Sequence, residues 1–135
     1  MFSKCNHYQV TFNCLFLYSF KSKVLILKNM KTYNFDYDKQ HDTLFLYSCK
    51  SVKSVSYGSI ILDYDSYNNI VGLELLHAST ILKNQQGEPI SKTFMTSLTS
   101  CHIAVDDQQK ELILTFKLTG KYELTSTLLI PRLVR

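Results

Sequence analysis

The sequence predicts an α+β fold: an antiparallel β-meander, one or two short helical segments, and then a C-terminal antiparallel β-hairpin or three-stranded unit. Three observations support this prediction. Apolar and polar residues alternate with a period of two from residue 33 onward, as they do in strands that bury one face. Two stretches between residues 77 and 100 instead show the helical spacing of apolar residues. The chain is 45% hydrophobic and 19% charged, which is typical of a sequence that folds around a core.

Turn-forming residues set the bounds of each predicted element. Turns formed by Asp, Asn or Gly are predicted at residues 36–42, around Gly58 and at residues 65–69, and they separate three short strands in the first half of the chain. Ser91 is a plausible N-cap for the second helical segment, and Pro131 lacks the amide donor needed to extend the last strand. The predicted strands are residues 43–48, 59–63, 70–75, 112–118 and 122–130, and the predicted helices are residues 77–84 and 91–100.

Charge divides the chain at Met30. Four of the 15 basic residues and none of the 11 acidic residues precede it, so the net charge of +4 belongs to the first 30 residues and the remainder is neutral. Residues 1–29 are interpreted as a basic extension, either a flexible tail or the product of a start assigned too far upstream. A strand at residues 24–27 is the alternative. Residues 30–135 are predicted to form a single α+β domain.

Nothing in the sequence predicts export or a membrane span. The apolar stretch at residues 10–20 is interrupted by polar residues and is followed by Lys-Ser-Lys instead of a cleavage site. Every apolar run is shorter than the roughly 18 residues that a spanning helix needs. Cys5, Cys14, Cys49 and Cys101 show no paired spacing, which indicates free thiols in a reducing compartment. A cytoplasmic location is therefore predicted.

An ordered series of short motifs lies between residues 33 and 82. The series comprises Tyr-Asp at residues 37–38, an apolar strand ending at 46–47, Asp-Tyr-Asp at 63–65, Val-Gly-Leu-Glu at 71–74 and Ala-Ser at 78–79. It resembles an uncharacterised prokaryotic family, the domain of unknown function 2283 (DUF2283), and the Ile-Pro-Arg end is similar to that of longer archaeal members. His77 departs from the family, which often has an acidic or amide residue there. The resemblance implies a fold but no chemistry, and an antitoxin-like or protein-interaction role follows by family analogy alone.

The Asp-Tyr-Asp motif occurs twice, and its carboxylates are the candidate site. Asp36 and Asp38 belong to the first copy, and Asp63 and Asp65 to the second. Paired carboxylates supply the oxygen ligands that Ca²⁺ and Mg²⁺ prefer, but Asp also suits the entry to a turn. We interpret these residues as turn formers and predict no catalytic residue, no cofactor and no metal. If a metal binds, Asp38, Asp63 and Asp65 are its predicted ligands.

No other constellation in the sequence predicts a specific chemistry. The cysteines and histidines lack zinc-site spacing, and the four glycines are isolated instead of clustered as in phosphate-binding loops. Cys101 is predicted to lie in the core and His102 at the surface.

The leading hypothesis is a small non-enzymatic binding or regulatory module. It would engage a protein partner, or a second copy of itself, through a sheet surface or an exposed edge strand. One alternative is a small metal-dependent or hydrolytic enzyme that uses Asp38, Asp63 or Asp65 with His41. The other is nucleic-acid binding through residues 1–29, which four dispersed lysines support only weakly.

Overall fold

The computed structural model of the chain describes residues 30–132. In this range the chain forms eight strands and two short helices. The strands are β1 Lys31–Asp38, β2 Thr43–Tyr47, β3 Lys53–Tyr57, β4 Ile60–Tyr64, β5 Ile70–Leu75, β6 Ser100–Asp107, β7 Glu111–Thr119 and β8 Glu123–Pro131. The helices are α1 Ala78–Ile81 and α2 Lys92–Thr96. None of the helices in residues 30–132 has the length and apolar character of a membrane span.

All eight strands belong to one antiparallel sheet in the order β3-β4-β5-β2-β1-β6-β7-β8. β1 joins the two halves of this sheet because different parts of it pair with different strands. Its first residues, from Lys31 to Tyr33, pair with β6, and its later residues, from Asn34 to Asp38, pair with β2. The sheet is therefore continuous from one half of the chain to the other.

The strand order corrects the predicted meander. β2 pairs with β5 instead of with β3, the strand that follows it in the chain. The strands β3, β4 and β5 therefore lie in reverse order on the far side of β2. Leu44 and Leu46 of β2 lie opposite Leu75 and Leu73 of β5, and all four are buried. Burial at the centre of the sheet stabilises apolar strands most, whereas a polar strand such as β3 loses little stability at an edge.

The core lies on one face of the sheet, here called the inner face, and the two helices pack on it. Phe94 and Met95 of α2 are only 2% and 1% exposed and belong to the same cluster as Leu44 and Phe116. Each large apolar side chain buried in this way contributes about 1.5–3 kcal/mol to folding. The alternation that predicted the strands therefore does mark the buried face.

Both predicted helices exist but are shorter than predicted. Ser91 caps α2 as expected, since its hydroxyl accepts a hydrogen bond from the amide of Phe94 at 3.1 Å. The helix ends early because the Thr99 amide already donates to the Thr119 carbonyl at 2.7 Å, next to β6. α1 stops after one turn because Leu82 is extended. Tertiary pairing therefore overrides the helical spacing at both C-terminal ends.

The C-terminal hairpin is confirmed, and β6 makes it a three-stranded unit. β7 and β8 pair continuously from Glu111 opposite Pro131 to Thr119 opposite Glu123. β1, β3 and β6 lie outside the five strand ranges predicted from the sequence, and β3 is the edge strand among them. Its two serines and Lys53 give a weak apolar pattern, which is characteristic of an edge strand.

Candidate functional site

The first Asp-Tyr-Asp copy ends β1 and opens a tight turn. Asp38 accepts one hydrogen bond from the His41 amide at 3.2 Å and contacts the His41 Nδ1 atom at 2.7 Å. The bond to the His41 ring is the main reason that the pKa of Asp38 lies below its ordinary value. A carboxylate that orients an imidazole resembles part of a catalytic group, but the His41 side chain is 69% exposed. A solvent-exposed contact of this kind between Asp38 and His41 is also explained by the formation of the turn.

The residue that organises this turn is Asp42, which sequence reasoning placed only at the turn's end. It has a left-handed backbone with φ of 50°, and its side chain is buried. Its carboxylate accepts hydrogen bonds from the Tyr37 hydroxyl at 2.6 Å, the Ser79 hydroxyl at 2.6 Å and the Ser79 amide at 3.1 Å. Its carbonyl accepts from the Ala78 amide at 2.8 Å. Asp42 therefore ties the β1–β2 turn to the first turn of α1.

Two opposing effects act on the pKa of Asp42. Burial raises this pKa, but hydrogen bonds from Ser79 and Tyr37 outweigh burial, and the pKa ends below its ordinary value. In return, burial and the neighbouring Asp42 carboxylate raise the pKa of the Tyr37 hydroxyl strongly. Asp42 is therefore charged and Tyr37 neutral near pH 7, which suits a structural network.

The second Asp-Tyr-Asp copy has two different local roles. Asp63 lies on the outer face of β4, opposite the inner face, and accepts a hydrogen bond from the Ser54 hydroxyl at 2.5 Å. Asp65 closes the β4–β5 turn by accepting hydrogen bonds from the amides of Tyr67 and Asn69, each at 2.9 Å. Asn68 in the same turn has φ of 63°. These contacts agree with the interpretation of both copies as turn and strand-end residues.

The two copies lie at different places on the sheet. Asp38 faces Thr43 at the start of β2, whereas the row through Asp63 and Gly72 reaches β2 at Tyr47. Asp38 and Asp63 are therefore four residues apart along the strand direction and three strand spacings apart across the sheet. This offset corresponds to about 19 Å between the two residues. Among residues 30–132, no group of three or more His, Cys, Asp or Glu side chains is placed to hold a metal ion. The structure does not bring the three predicted ligands together.

The cysteines differ from one another. Cys101 is free and fully buried in β6, as predicted for a core residue, and burial raises its pKa to about 12. His102, the next residue, lies on the other face of the strand and is half-buried. Cys49 is disulfide-bonded, so the prediction of a free thiol is wrong for this residue.

A cleft that the sequence did not predict lies where the two ends of the sheet approach each other. Because its walls come from β3 and β4 on one side and from β6, β7 and β8 on the other, the sheet must curl so that its two ends face each other. We call this the seam cleft, and its volume is about 480 Å³. It is lined by Lys53, Val55, Tyr57, Tyr64, Asn68, Asp107, Leu112, Ile130 and Arg132.

The seam cleft combines an apolar floor with polar groups of fixed position. The Arg132 guanidinium pairs with the Asp107 carboxylate, and the Arg132 amide donates to the Lys110 carbonyl at 2.9 Å. The Lys53 ammonium lies 5.4 Å from the centroid of the Tyr64 ring. Burial, with a smaller effect from nearby Tyr57, raises the pKa of Tyr64 to about 12. The Tyr64 phenol is therefore a neutral hydrogen-bonding group at the cleft.

The two edges of the sheet flank this cleft and differ in protection. β3 pairs with β4 on one side, and its other side meets no strand in the described part of the chain. β8 is the other edge, and the loop after α1 contacts it, since the Lys83 amide donates to the Ser126 hydroxyl at 3.1 Å. Unpaired backbone groups along β3 can accept a further strand.

Comparison with known proteins gives a match to one family over part of the chain and no activity. Residues 34–79 match the model of a family described as a protein of unknown function (DUF2283), which confirms the resemblance drawn from the sequence. An uncharacterized protein of Methanocaldococcus jannaschii is 38% identical over 48 residues, which are 34% of this chain and 41% of that relative. The chain thus spans about two fifths of the relative's length. No solved structure matches the chain.

Proposed function

We propose that this DUF2283-related chain is a non-enzymatic binding module that holds an extended segment of a partner protein in the seam cleft. The observation that carries the proposal is the position of the cleft between the two edges of one sheet, where no strand of residues 30–132 pairs with the outer side of β3. A strand added at a sheet edge gains affinity from main-chain hydrogen bonds and specificity from pockets for alternate side chains. The seam cleft offers both kinds of contact.

The side chains of the cleft define the chemistry of the segment it would hold. Val55, Leu112 and Ile130 form an apolar floor, which suits an aliphatic or aromatic side chain. Lys53 is an exposed cation on the edge strand itself, and no salt bridge joins it to a carboxylate of residues 30–132. A segment with an apolar residue facing the floor and an acidic residue facing Lys53 would satisfy the cleft.

The test compares the proteins captured by the tagged full-length chain with those captured by paired variants, in the cells that naturally make it. Lys53→Glu and Tyr57→Ala alter the cleft, whereas Lys121→Glu in the β7–β8 turn and Tyr47→Ala on the outer face are matched controls. A partner retained by both controls and lost from both cleft variants supports the proposal. Equal capture by all four variants refutes the proposal. If the natural protein is a dimer that dissociates in the cleft variants, the segment in the cleft belongs to a second copy of this chain instead of to another protein.

The other hypotheses from the sequence keep their own tests. An enzyme that uses Asp38, Asp63 or Asp65 with His41 requires bound metal or hydrolytic turnover in the purified protein. Nucleic-acid binding depends on residues 1–29, which lie outside the described residues. The cytoplasmic location stays a prediction that fractionation of the native cells would test.

A further inference from the structure

A second cleft lies beside the start of β8. Its lining residues come from the α1–α2 loop, between residues 84 and 91, and from residues 122–125. We call it the loop cleft. Its volume is about 560 Å³, which falls within the roughly 300–1,000 Å³ of clefts that bind small molecules. It shares no lining residue with the seam cleft, so it is a separate site.

Hydrogen bonds within the α1–α2 loop fix the backbone on one side of the loop cleft. The Asn84 side-chain oxygen accepts from the amides of Gln86 and Glu88, at 2.9 and 3.0 Å. The Asn84 amide donates to the Glu88 carbonyl at 2.9 Å, and the Gly87 amide donates to the Asn84 carbonyl at 3.0 Å. This wall is therefore ordered before a ligand arrives, and binding costs little loop entropy.

Polar side chains of this wall are available to a ligand. Those of Gln85, Gln86 and Glu88 make no hydrogen bond or salt bridge within residues 30–132. An amide side chain offers both donors and an acceptor, and a carboxylate offers acceptors. The wall therefore presents a mixed set of hydrogen-bonding groups to the cleft.

The opposite wall supplies a tyrosine ring of fixed position. The centroid of the Tyr122 ring lies 4.5 Å from that of Phe94, and the two ring planes are inclined by 32°. Phe94 is only 2% exposed, so this contact fixes Tyr122 to the core, yet Tyr122 itself is 57% exposed. The exposed part of the ring is thus a rigid apolar surface next to the polar wall.

The charges at the loop cleft favour a neutral ligand. No lysine, arginine or histidine of residues 30–132 lines the cleft, whereas Glu88 and Glu123 do, so a phosphate or carboxylate group would meet no counter-charge there. Attraction for a cation is also reduced, because Glu123 already pairs with Lys117 at 3.6 Å. Lysines further flank the lining segments in the chain, namely Lys83, Lys92 and Lys121.

We propose that the loop cleft binds an uncharged oligosaccharide, with one sugar ring lying on Tyr122. A sugar hydroxyl both donates and accepts hydrogen bonds, which matches the side chains of Gln85, Gln86 and Glu88. The C–H groups on the face of a sugar ring pack against an aromatic ring, and Tyr122 offers that surface. Because Tyr122 and Glu123 are exposed, the cleft is open to solvent, and a chain of linked sugars can run through it.

The test titrates the isotope-labelled full-length chain with defined neutral tetrasaccharides and follows the amide chemical shifts by nuclear magnetic resonance. Cellotetraose, maltotetraose, mannotetraose and N-acetylchitotetraose are used because they differ in linkage and in ring substituents. We expect at least one of them to bind with a Kd of about 0.1–5 mM and to shift amides of residues 84–91 and 122–125.

Variants of the loop cleft assign the binding to its side chains. Tyr122→Ala removes the ring and should weaken binding about fivefold or more, whereas Tyr122→Phe keeps the ring and should stay within about twofold. Gln86→Ala alters an exposed side chain and should weaken binding about threefold, so it keeps the test valid if Tyr122→Ala does not fold. Tyr47→Ala is the matched control, because Tyr47 is 51% exposed and lies outside the loop cleft, and its affinity should equal that of the natural protein.

The other outcomes overturn the proposal. Absence of shifts with every tetrasaccharide at about 20 mM refutes a sugar site. Shifts outside the loop cleft, equal weakening by Tyr47→Ala, or unchanged affinity in a folded Tyr122→Ala variant place the binding elsewhere. Spermidine and inorganic phosphate are titrated in parallel, and binding of either one without any tetrasaccharide would show that charge selects the ligand. None of these results bears on the seam cleft, whose proposed function is tested separately.

Discussion

Replacement of Asp42 by asparagine should destabilise the fold more than any other single carboxylate-to-amide change in the described residues. Asparagine tolerates the left-handed backbone at φ of 50° as well as aspartate does, so the change isolates the hydrogen bonds. It removes the charge and replaces one acceptor oxygen by an amide donor, which would face the hydroxyl of either Tyr37 or Ser79.

The expected loss follows from the bonds that Asp42 makes. A hydrogen bond to a charged group contributes about 1.5–3 kcal/mol, and asparagine retains one acceptor oxygen, so we expect Asp42→Asn to cost about 2 kcal/mol. Asp42→Ala loses every side-chain bond and also strains the left-handed backbone, so we expect about 4 kcal/mol. For a chain of this size, 2 kcal/mol lowers the melting temperature by about 6–10 °C.

The assay is urea denaturation of the full-length chain followed by circular dichroism, with Asp36→Asn as the matched control. Asp36 lies on the same strand, and its exposed side chain makes no hydrogen bond or salt bridge within residues 30–132. A double-mutant cycle with Ser79→Ala should give a coupling of about 1–2 kcal/mol. If Asp42→Asn loses no more stability than Asp36→Asn, the network does not support the fold in the way that its distances indicate.

The same network sets the response to acid. The folded-state pKa of Asp42 lies below its ordinary value of 3.8, and the unfolded chain has that ordinary value. Its contribution to stability is therefore complete above the unfolded pKa and is lost as the pH falls through the folded pKa. Denaturation midpoints measured from pH 7 to pH 2 should fall below about pH 4 in the natural protein and fall less in Asp42→Asn.

Three further predictions test other contacts. Gly72→Ala should cost about 1–3 kcal/mol in the urea midpoint, because the new Cβ would lie 3.0 Å from both the Asp63 Oδ2 atom and the Leu46 carbonyl; a neutral result would show that β4 and β2 move apart easily. Cys101, with its buried thiol of raised pKa, should resist iodoacetamide at pH 8 in the native protein and react after unfolding in guanidinium, as followed by peptide mass spectrometry; rapid native labelling would contradict its burial. Glu74→Gln should raise stability at pH 7 by less than about 1 kcal/mol, because burial and the nearby Asp63 raise the pKa of Glu74 and disfavour its charge. The gain should vanish below the ordinary pKa of 4.5, where Glu74 is protonated in both the folded and the unfolded state.

Turn chemistry could be inferred from the sequence, but the partner of each turn could not. The sequence identified residues 36–42 and 65–69 as turns because Asp and Asn bond to nearby backbone groups. The contacts of Asp65 lie within four residues and agree with that reasoning. Asp42 instead bonds to Ser79, 37 residues away, and no local pattern reports such a pairing.

The same distinction holds for the strands. Period-two alternation identified β2, β5, β7 and β8 because a strand that buries one face shows alternating apolar residues in its own sequence, whichever strands it pairs with. Strand order depends on which strands meet, so the sequence suggested a meander where β5 pairs with β2. β3 was missed because an edge strand buries little, and its pattern is correspondingly weak.

The amino-acid sequence by itself determined the antiparallel strands, the turn role of Asp38 and Asp65, the core position of Cys101 and the family resemblance, because each depends on residues close together in the chain. Only the tertiary structure decided the order of the strands, the seam cleft between β3 and β8, the Asp42 network and the loop cleft beside Tyr122. Each of these depends on contacts between segments that are distant in sequence, and a single sequence specifies such contacts only through the folded chain.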